Sequence, residues 1–209
     1  MSEIKIGRMV LGMCQTNCYF LYQDDTKTCI VVDPADQGHQ IYNALTNHGF
    51  NIRAILLTHG HFDHIWGAAA LKELADVKIY AYAEEKALLN SEKLNVSKGA
   101  GRPYTLDADV YLADGEEVNV EGITCKCIAT PGHTGGSCCY YFEELGILVS
   151  GDTLFQQSVG RTDLPTGNMR TLVDSVKTKL FVLPEETKVY PGHGDSTTIG
   201  YEKKYNPFI

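Results

Sequence analysis

The chain has 209 residues, with 18 Lys and Arg against 26 Asp and Glu, a formal charge of -8. At 44% hydrophobic and 21% charged residues it can bury a sizeable core, which excludes a mainly disordered chain, and its acidic balance opposes binding to phosphate backbones. One domain over 1–209 is expected, with no apolar run of the roughly 20 residues a membrane span needs and no signal-peptide core at the start, hence a cytoplasmic protein with a small-molecule partner, no nucleic acid and no membrane.

Residues 3–10, 17–23 and 28–33 read as strands, the last two joined across the turn dipeptide Asp24-Asp25, which predicts an antiparallel meander. Ile41, Ala44, Leu45 and His48 recur at helical spacing within 37–48, and Gly49 is placed to end that helix. A compact apolar strand over 51–57 runs into Thr58-His59-Gly60-His61-Phe62-Asp63-His64, with a helix expected over about 65–75. A strand over 77–82 and a short helix over 84–90 follow, and 91–104 reads as a long loop. From 110 to 149 the chain returns to strands, at 117–120, 123–129, 137–142 and 146–150, which implies a second sheet. Asn168 can cap a helix whose Met169, Leu172, Val173, Val176 and Leu180 form one apolar stripe, and 188–190 is a last strand before Pro191-Gly192-His193-Gly194. Two runs of strands, each with its own helices, argue for a layered α/β protein with face-to-face sheets and helices on the outer faces.

Seven cysteines (Cys14, Cys18, Cys29, Cys125, Cys127, Cys138, Cys139) are an odd number without a secretory signal, so no disulfide framework is expected. They read as small buried apolar residues or inert thiols. Cys14 and Cys18 are set aside as nucleophiles because neither lies near a histidine motif in the sequence.

Five of the seven histidines lie in segments that each follow a predicted strand: His59, His61 and His64; His133; and His193. Strand ends bring loops to one rim of a sheet, where distant segments can present ligands to a common point. His59 and His61, two residues apart, face the same side of an extended segment and can share one ion, and His133 in Pro131-Gly132-His133 would complete a three-histidine site. Asp63, His64 and His193 would form a neighbouring site, with Asp152 in Gly151-Asp152 as the bridge, because a carboxylate has two oxygens and helps offset the charge of two dications. His39 and His48, on a predicted helix without acidic or histidine company, read as surface or packing residues, and Asp33 as either a turn residue or a group orienting a ligand.

These motifs resemble those of the metallo-β-lactamase-fold hydrolases, and more narrowly the short bacterial glyoxalase II-like enzymes. The resemblance spans nearly the whole chain and implies a four-layer αββα sandwich with a metal site at the rim between the two sheets. It implies one ion on His59, His61 and His133, a second on Asp63, His64 and His193, and Asp152 on both. The stretch Gly160-Arg161-Thr162-Asp163-Leu164 also looks like one shared by glyoxalase II-like and persulfide dioxygenase-like members, although a salt-bridged turn, with Arg161 and Asp163 holding the loop after Asp152, is the favoured reading. Long glyoxalase II enzymes carry a C-terminal helical domain for glutathione, whereas only 197–209 follow the last motif here. Aspartate at 152, where the commonest zinc β-lactamases carry cysteine, argues against a dedicated β-lactamase.

The expected chemistry is hydrolysis of a hydroxyacyl thioester such as S-lactoylglutathione by a hydroxide held between two divalent ions, zinc first and iron or manganese as alternatives, with Asp63 and Asp152 as the catalytic carboxylates. Other esters or lactones are alternative substrates. A different class, a mononuclear iron persulfide dioxygenase, would use only His59, His133 and Asp152, and a metal-dependent binding module without catalysis is a third reading. Arg161, Lys203, Lys204 and Tyr205 are candidate substrate contacts.

Overall fold

The computed structural model describes residues 3–209. In the first sheet β1 (Ile4–Leu11), β2 (Thr16–Gln23) and β3 (Thr28–Val32) pair antiparallel as the sequence predicts, and β4 (Asn51–Leu57), β5 (Lys78–Tyr82) and β6 (Val110–Leu112) then add in parallel. The second sheet contains β7 (Glu117–Val120), β8 (Ile123–Ala129), β9 (Cys138–Phe142), β10 (Ile147–Gly151), β13 (Lys188–Pro191) and β14 (Thr197–Thr198), with a small hairpin of β11 (Leu154–Phe155) and β12 (Ser158–Val159) leaving its rim. Residues 110–112 thus differ from expectation. They follow the long loop and finish the first sheet beside β5 instead of opening the second.

Strand alternation sorts the apolar residues into three layers of core. Tyr19, Leu21, Ile30 and Val32 point inward against Cys125, Cys127, Tyr140 and Phe142 of the second sheet. Their neighbours Cys18, Cys29 and Val31 point outward, toward α1 (Gly38–Asn47) and α3 (Ala68–Ala75), which bring Ile41, Leu45 and Leu71. On the far side Cys139, Tyr141 and Leu148 meet α5 (Met169–Ser175), the wider turn Val176–Leu180 that continues it, and α6 (Ile199–Tyr205). The order helix, sheet, sheet, helix is the four-layer sandwich. Six cysteines are buried in these cores, and Cys14 is exposed. Among the described residues no helix is long and apolar enough to cross a membrane.

Local signals explain most boundaries. Gly49, at φ +81°, ends α1, and the Asn168 side chain accepts the backbone N–H of Thr171 at the start of α5. The helix expected over 65–75 is instead broken into α2 (Phe62–Ile65) and α3. Gly67 sits between them so close to the loop after β3 that a Cβ there would lie 2.2 Å from the Pro34 carbonyl oxygen. Its N–H bonds the Ala35 carbonyl, and this docking interrupts the helical ladder. The helix expected over 84–90 is shorter, a tight turn at Ala83–Glu85 followed by α4 (Lys86–Leu89).

Candidate metal centre

The C-terminal ends of four strands deliver the histidine and aspartate motifs to one rim. His59 and His61 follow β4, His133 follows β8, Asp152 follows β10, and His193 follows β13. The two sheets are stitched together there by backbone: Cys138 N–H donates to the Thr58 carbonyl at 2.8 Å, and Asn17 N–H to the Gly192 carbonyl at 2.7 Å. Asn17 Nδ2 also reaches the carbonyls of Pro191 and Gly194, and Tyr19 Oη that of Pro191, all at 2.9 Å.

His59, His61 and His133 form one group, and Asp63, His64 and His193 another, each offering ligand-type atoms within 4.8 Å of one another. His61 Nδ1 and His133 Nε2 lie 2.8 Å apart, so a proton on one of them or a cation between them must offset lone-pair repulsion. Asp152 stands between the groups: its Oδ2 is 3.5 Å from both His133 Nε2 and His193 Nε2, and its Oδ1 is 3.4 Å from His64 Nε2. Asp63 Oδ2 lies 3.3 Å from His193 Nε2 and accepts the Thr16 hydroxyl.

The outward nitrogens are fixed by partners away from the groove. His133 Nδ1 donates to the Arg161 carbonyl at 2.7 Å, His59 Nδ1 lies 3.1 Å from Thr58 Oγ1, and His64 Nδ1 donates to Asp33 Oδ2 at 2.9 Å. A third cluster, Asp33, His59 and His64, also has ligand-type spacing, but Asp33 is already engaged by the Thr58 N–H and hydroxyl as well as by His64 and so acts as an orienting group. Sequence alone left Asp33 open between turn and orientation.

Of the five buried side-chain polar atoms without a hydrogen-bond partner among the described residues, four, His59 Nε2, His61 Nε2, His64 Nε2 and Asp152 Oδ1, belong to this rim. Leaving one such atom unsatisfied costs about 1–3 kcal/mol, so four of them at one rim require a common partner, and nitrogen and carboxylate donors at this spacing fit divalent cations. Burial drives His59 well below the usual imidazole range and His61 down to about 3, which keeps both as neutral donors. Burial opposes the charged form of His64 too, yet Asp63, Asp152 and Asp33 together raise it well above that range. Asp63 stays ionised, at about 2, because His64 and His193 outweigh its burial.

Several supporting residues carried no signal in the sequence. Glu85, almost fully buried on the turn before α4, accepts the Gly60 N–H at 2.7 Å, the Gly136 N–H at 3.0 Å and the Thr134 hydroxyl at 3.0 Å. One carboxylate thereby clamps the loop between His59 and His61 to the loop after His133. Only a tertiary contact reveals it. Cys14, discounted for its distance in sequence, lines the groove above Asp63, because the turn between β1 and β2 reaches the same rim. The groove holds about 470 Å³, with Phe62, Val96, Phe155 and Leu164 among its walls. Arg161 also lines it, paired with Asp163 as the salt-bridged turn predicts, whereas Lys203 pairs with Glu185 and Lys204 lies over the Tyr205 ring, and none of these three lines the groove. His39 and His48 stand exposed on or just after α1, outside the cluster.

The fold and this site define a class of protein. The sequence matches the Metallo-beta-lactamase superfamily over residues 11–193, and the chain belongs to that family. It is 34% identical to the hydroxyacylglutathione hydrolase GloC of Haemophilus influenzae over 93% of both chains. Among solved structures, BLEG-1, described as a B3 metallo-beta-lactamase, shares 40% identity with a TM-score of 0.93 over 98% of this chain and 99% of its own. TTHA1623 in a di-iron-bound form shares 33% identity with a TM-score of 0.85, over 97% and 100%. The chain is therefore similar both to a protein named as a hydroxyacylglutathione hydrolase and to one named as a B3 metallo-beta-lactamase, so family likeness does not by itself separate the two activities. It is a metal-dependent hydrolase of this superfamily.

Proposed function

We propose that this protein is a dinuclear hydrolase of hydroxyacyl thioesters, S-lactoylglutathione being the named example, with a small-molecule partner in the cytoplasm. In this reading His59, His61 and His133 hold one divalent cation, Asp63, His64 and His193 hold a second, and Asp152 contacts both. The carrying observation is the convergence of both groups on the two oxygens of Asp152. The mononuclear dioxygenase reading would leave Asp63, His64 and His193 without a task although they are gathered as closely as the first group. Zinc is the first expectation, and the nitrogen and oxygen donor set also suits iron, which the di-iron structure of a relative makes a direct alternative. Seven free thiols fit a reducing compartment.

Cations bound there supply Lewis acidity and bring the pKa of water toward 7. The chain's own residues do the rest. Asp33 fixes the tautomer of His64, Arg161 that of His133 through its carbonyl, and Glu85 sets the spacing of the two loops. Asp63, ionised and open to the groove, is placed to take the proton of the attacking water and return it to the departing sulfur. Phe62 and Phe155 exclude bulk water beside the carbonyl.

The test is to strip the protein of metal, reload it with zinc or iron, and measure cleavage of a panel of hydroxyacyl thioesters, esters, lactones and β-lactams. Thioester turnover restored by metal is expected. Turnover that survives complete metal removal, or that is confined to β-lactams, overturns the reading.

A further inference from the structure

The groove has two features that the metal centre does not explain. The first is charge. Of the described residues lining it, Arg161 is the one lysine or arginine, and its guanidinium is already engaged, Nε donating to Asp163 Oδ1 at 2.8 Å and Nη2 to Asp163 Oδ2 at 2.7 Å. Asp63 and Asp152 lie on the floor among the histidines of the metal centre, where the bound cations would offset them. A glutathione thioester brings two carboxylates and one ammonium at the far end of its thiol arm, and away from the metal-binding floor no free lysine or arginine lines the groove to compensate the desolvation of the carboxylates.

The second feature is the wall. Phe62, Val96, Phe155, Val159 and Leu164 give it an apolar surface. Val96 lies at φ +66°, left-handed backbone that a β-branched residue adopts only at an energetic cost. The strained turn is pinned on both sides. Asn95 Oδ1 accepts the Ser97 N–H at 2.9 Å, Asn95 Nδ2 donates to the Tyr104 carbonyl at 2.8 Å, and the Asn95 carbonyl accepts the N–H of Phe62, the residue between His61 and Asp63. Glycine would fit this backbone without strain, yet the position carries an isopropyl group on the groove. Strain maintained beside a reacting centre points to a use for the side chain.

We propose that the groove selects thioesters whose thiol arm is uncharged and largely apolar, of the acylated-cysteamine or alkyl-thiol kind, over thioesters of anionic thiols such as glutathione. This rests on the thioesterase reading and narrows its substrate class. The reaction is an ordinary hydrolysis: the acyl carbon–sulfur bond breaks, a carbon–oxygen bond to water forms, and the proton released goes to the thiolate, with no change of oxidation state.

Zinc-loaded protein assayed with S-lactoyl-N-acetylcysteamine and S-lactoylglutathione provides the test, alongside calorimetric binding of the unreactive thioethers S-hexyl-N-acetylcysteamine and S-hexylglutathione. The uncharged thioester should have at least about tenfold higher kcat/KM, chiefly through KM, and its thioether should bind correspondingly tighter. Val96→Gly should keep or raise Tm, since it relieves the backbone, while KM for the uncharged thioester rises several-fold and by a larger factor than KM for the glutathione thioester. Equal or better use of S-lactoylglutathione, or a Val96→Gly variant with unchanged KM for the uncharged thioester, overturns the proposal. If neither thioester is cleaved but the thioethers still rank as stated, the thioesterase reading fails while the preference of the groove for an uncharged arm stands.

Discussion

His64 donates from Nδ1 to Asp33 Oδ2 at 2.9 Å, and this single bond decides which nitrogen the histidine presents to Asp63 and Asp152. Asp33 can do so because its other contacts are all donors: Thr58 N–H reaches Oδ1 at 2.8 Å and the Thr58 hydroxyl reaches Oδ2 at 2.6 Å. Asparagine in its place must set an N–H₂ against one of these donors. Asp33→Asn is therefore expected to lower affinity for the cation on the Asp63, His64 and His193 side by about 10–100-fold, with a smaller effect on the other side. Cations per chain, followed during titration with a chelator, measure it. Equal loss from both sides would show that Asp33 supports the rim as a whole instead of His64.

Asp152 and His39 make a matched pair. Asp152 has an oxygen facing each group of histidines and one buried oxygen without a hydrogen bond, whereas His39 is exposed on α1. Asp152→Ala should remove the second cation and reduce thioester turnover by more than the roughly 10–100-fold typical of losing an orienting partner. His39→Ala should leave metal content and turnover within error. Elemental analysis and a steady-state assay on the two variants, purified side by side, check both halves.

The layered fold was legible because its signals are local: alternation in β2, β3 and β8, the glycine after α1 and the Asn168 cap are all written within a few residues. The motifs of the rim were legible for a related reason, since histidines placed just after predicted strands have one place to go. What was hidden depends on contacts across the sandwich. Nothing near Glu85 in the sequence tells that it will sit between Gly60 and Gly136, and the break between α2 and α3 comes from the close approach of Gly67 to Pro34, a residue far away in the chain. The place of Cys14 was hidden for the same reason, because sequence distance from a histidine says nothing about a turn that the sheet carries to the same rim.

Glu85 gives a prediction about pH. Burial raises its carboxyl from the usual 4.5 to about 7, against the lowering effect of the Gly60 N–H, the Thr134 hydroxyl and the Gly136 N–H. An acid with a raised folded-state pKa takes up a proton on folding, so its contribution is fully present below pH about 4.5 and is lost as pH rises through about 7. The loss is at most about 3 kcal/mol. Urea unfolding of the metal-free protein at a series of pH values, compared with Glu85→Gln, isolates it: the difference in stability between the two proteins should shift toward the variant between pH 5 and pH 8. A difference that is flat over that range would mean that the three donors hold Glu85 ionised throughout.

Gly192 offers the sharpest geometric prediction. A Cβ built there would lie 2.2 Å from Asp152 Oδ1 and 2.7 Å from His64 Cε1, closer than any real contact, so both side chains would have to move. Neither can move freely, since His64 is tied to Asp33 and Asp152 sits among His64, His133 and His193. Sites of this kind tolerate displacements of only about 0.5 Å. Gly192→Ala is expected to lose the cation on the His64 side and to destabilise the fold by about 1–3 kcal/mol through overpacking. Gly99→Ala is the control, because a Cβ there meets nothing nearer than 3.5 Å and the backbone is not left-handed, so its metal content should match the wild type. Metal content and thermal unfolding on the pair decide the matter, and a Gly192→Ala variant that binds two cations with unaltered affinity would show that Asp152 and His64 are not jointly required to hold them.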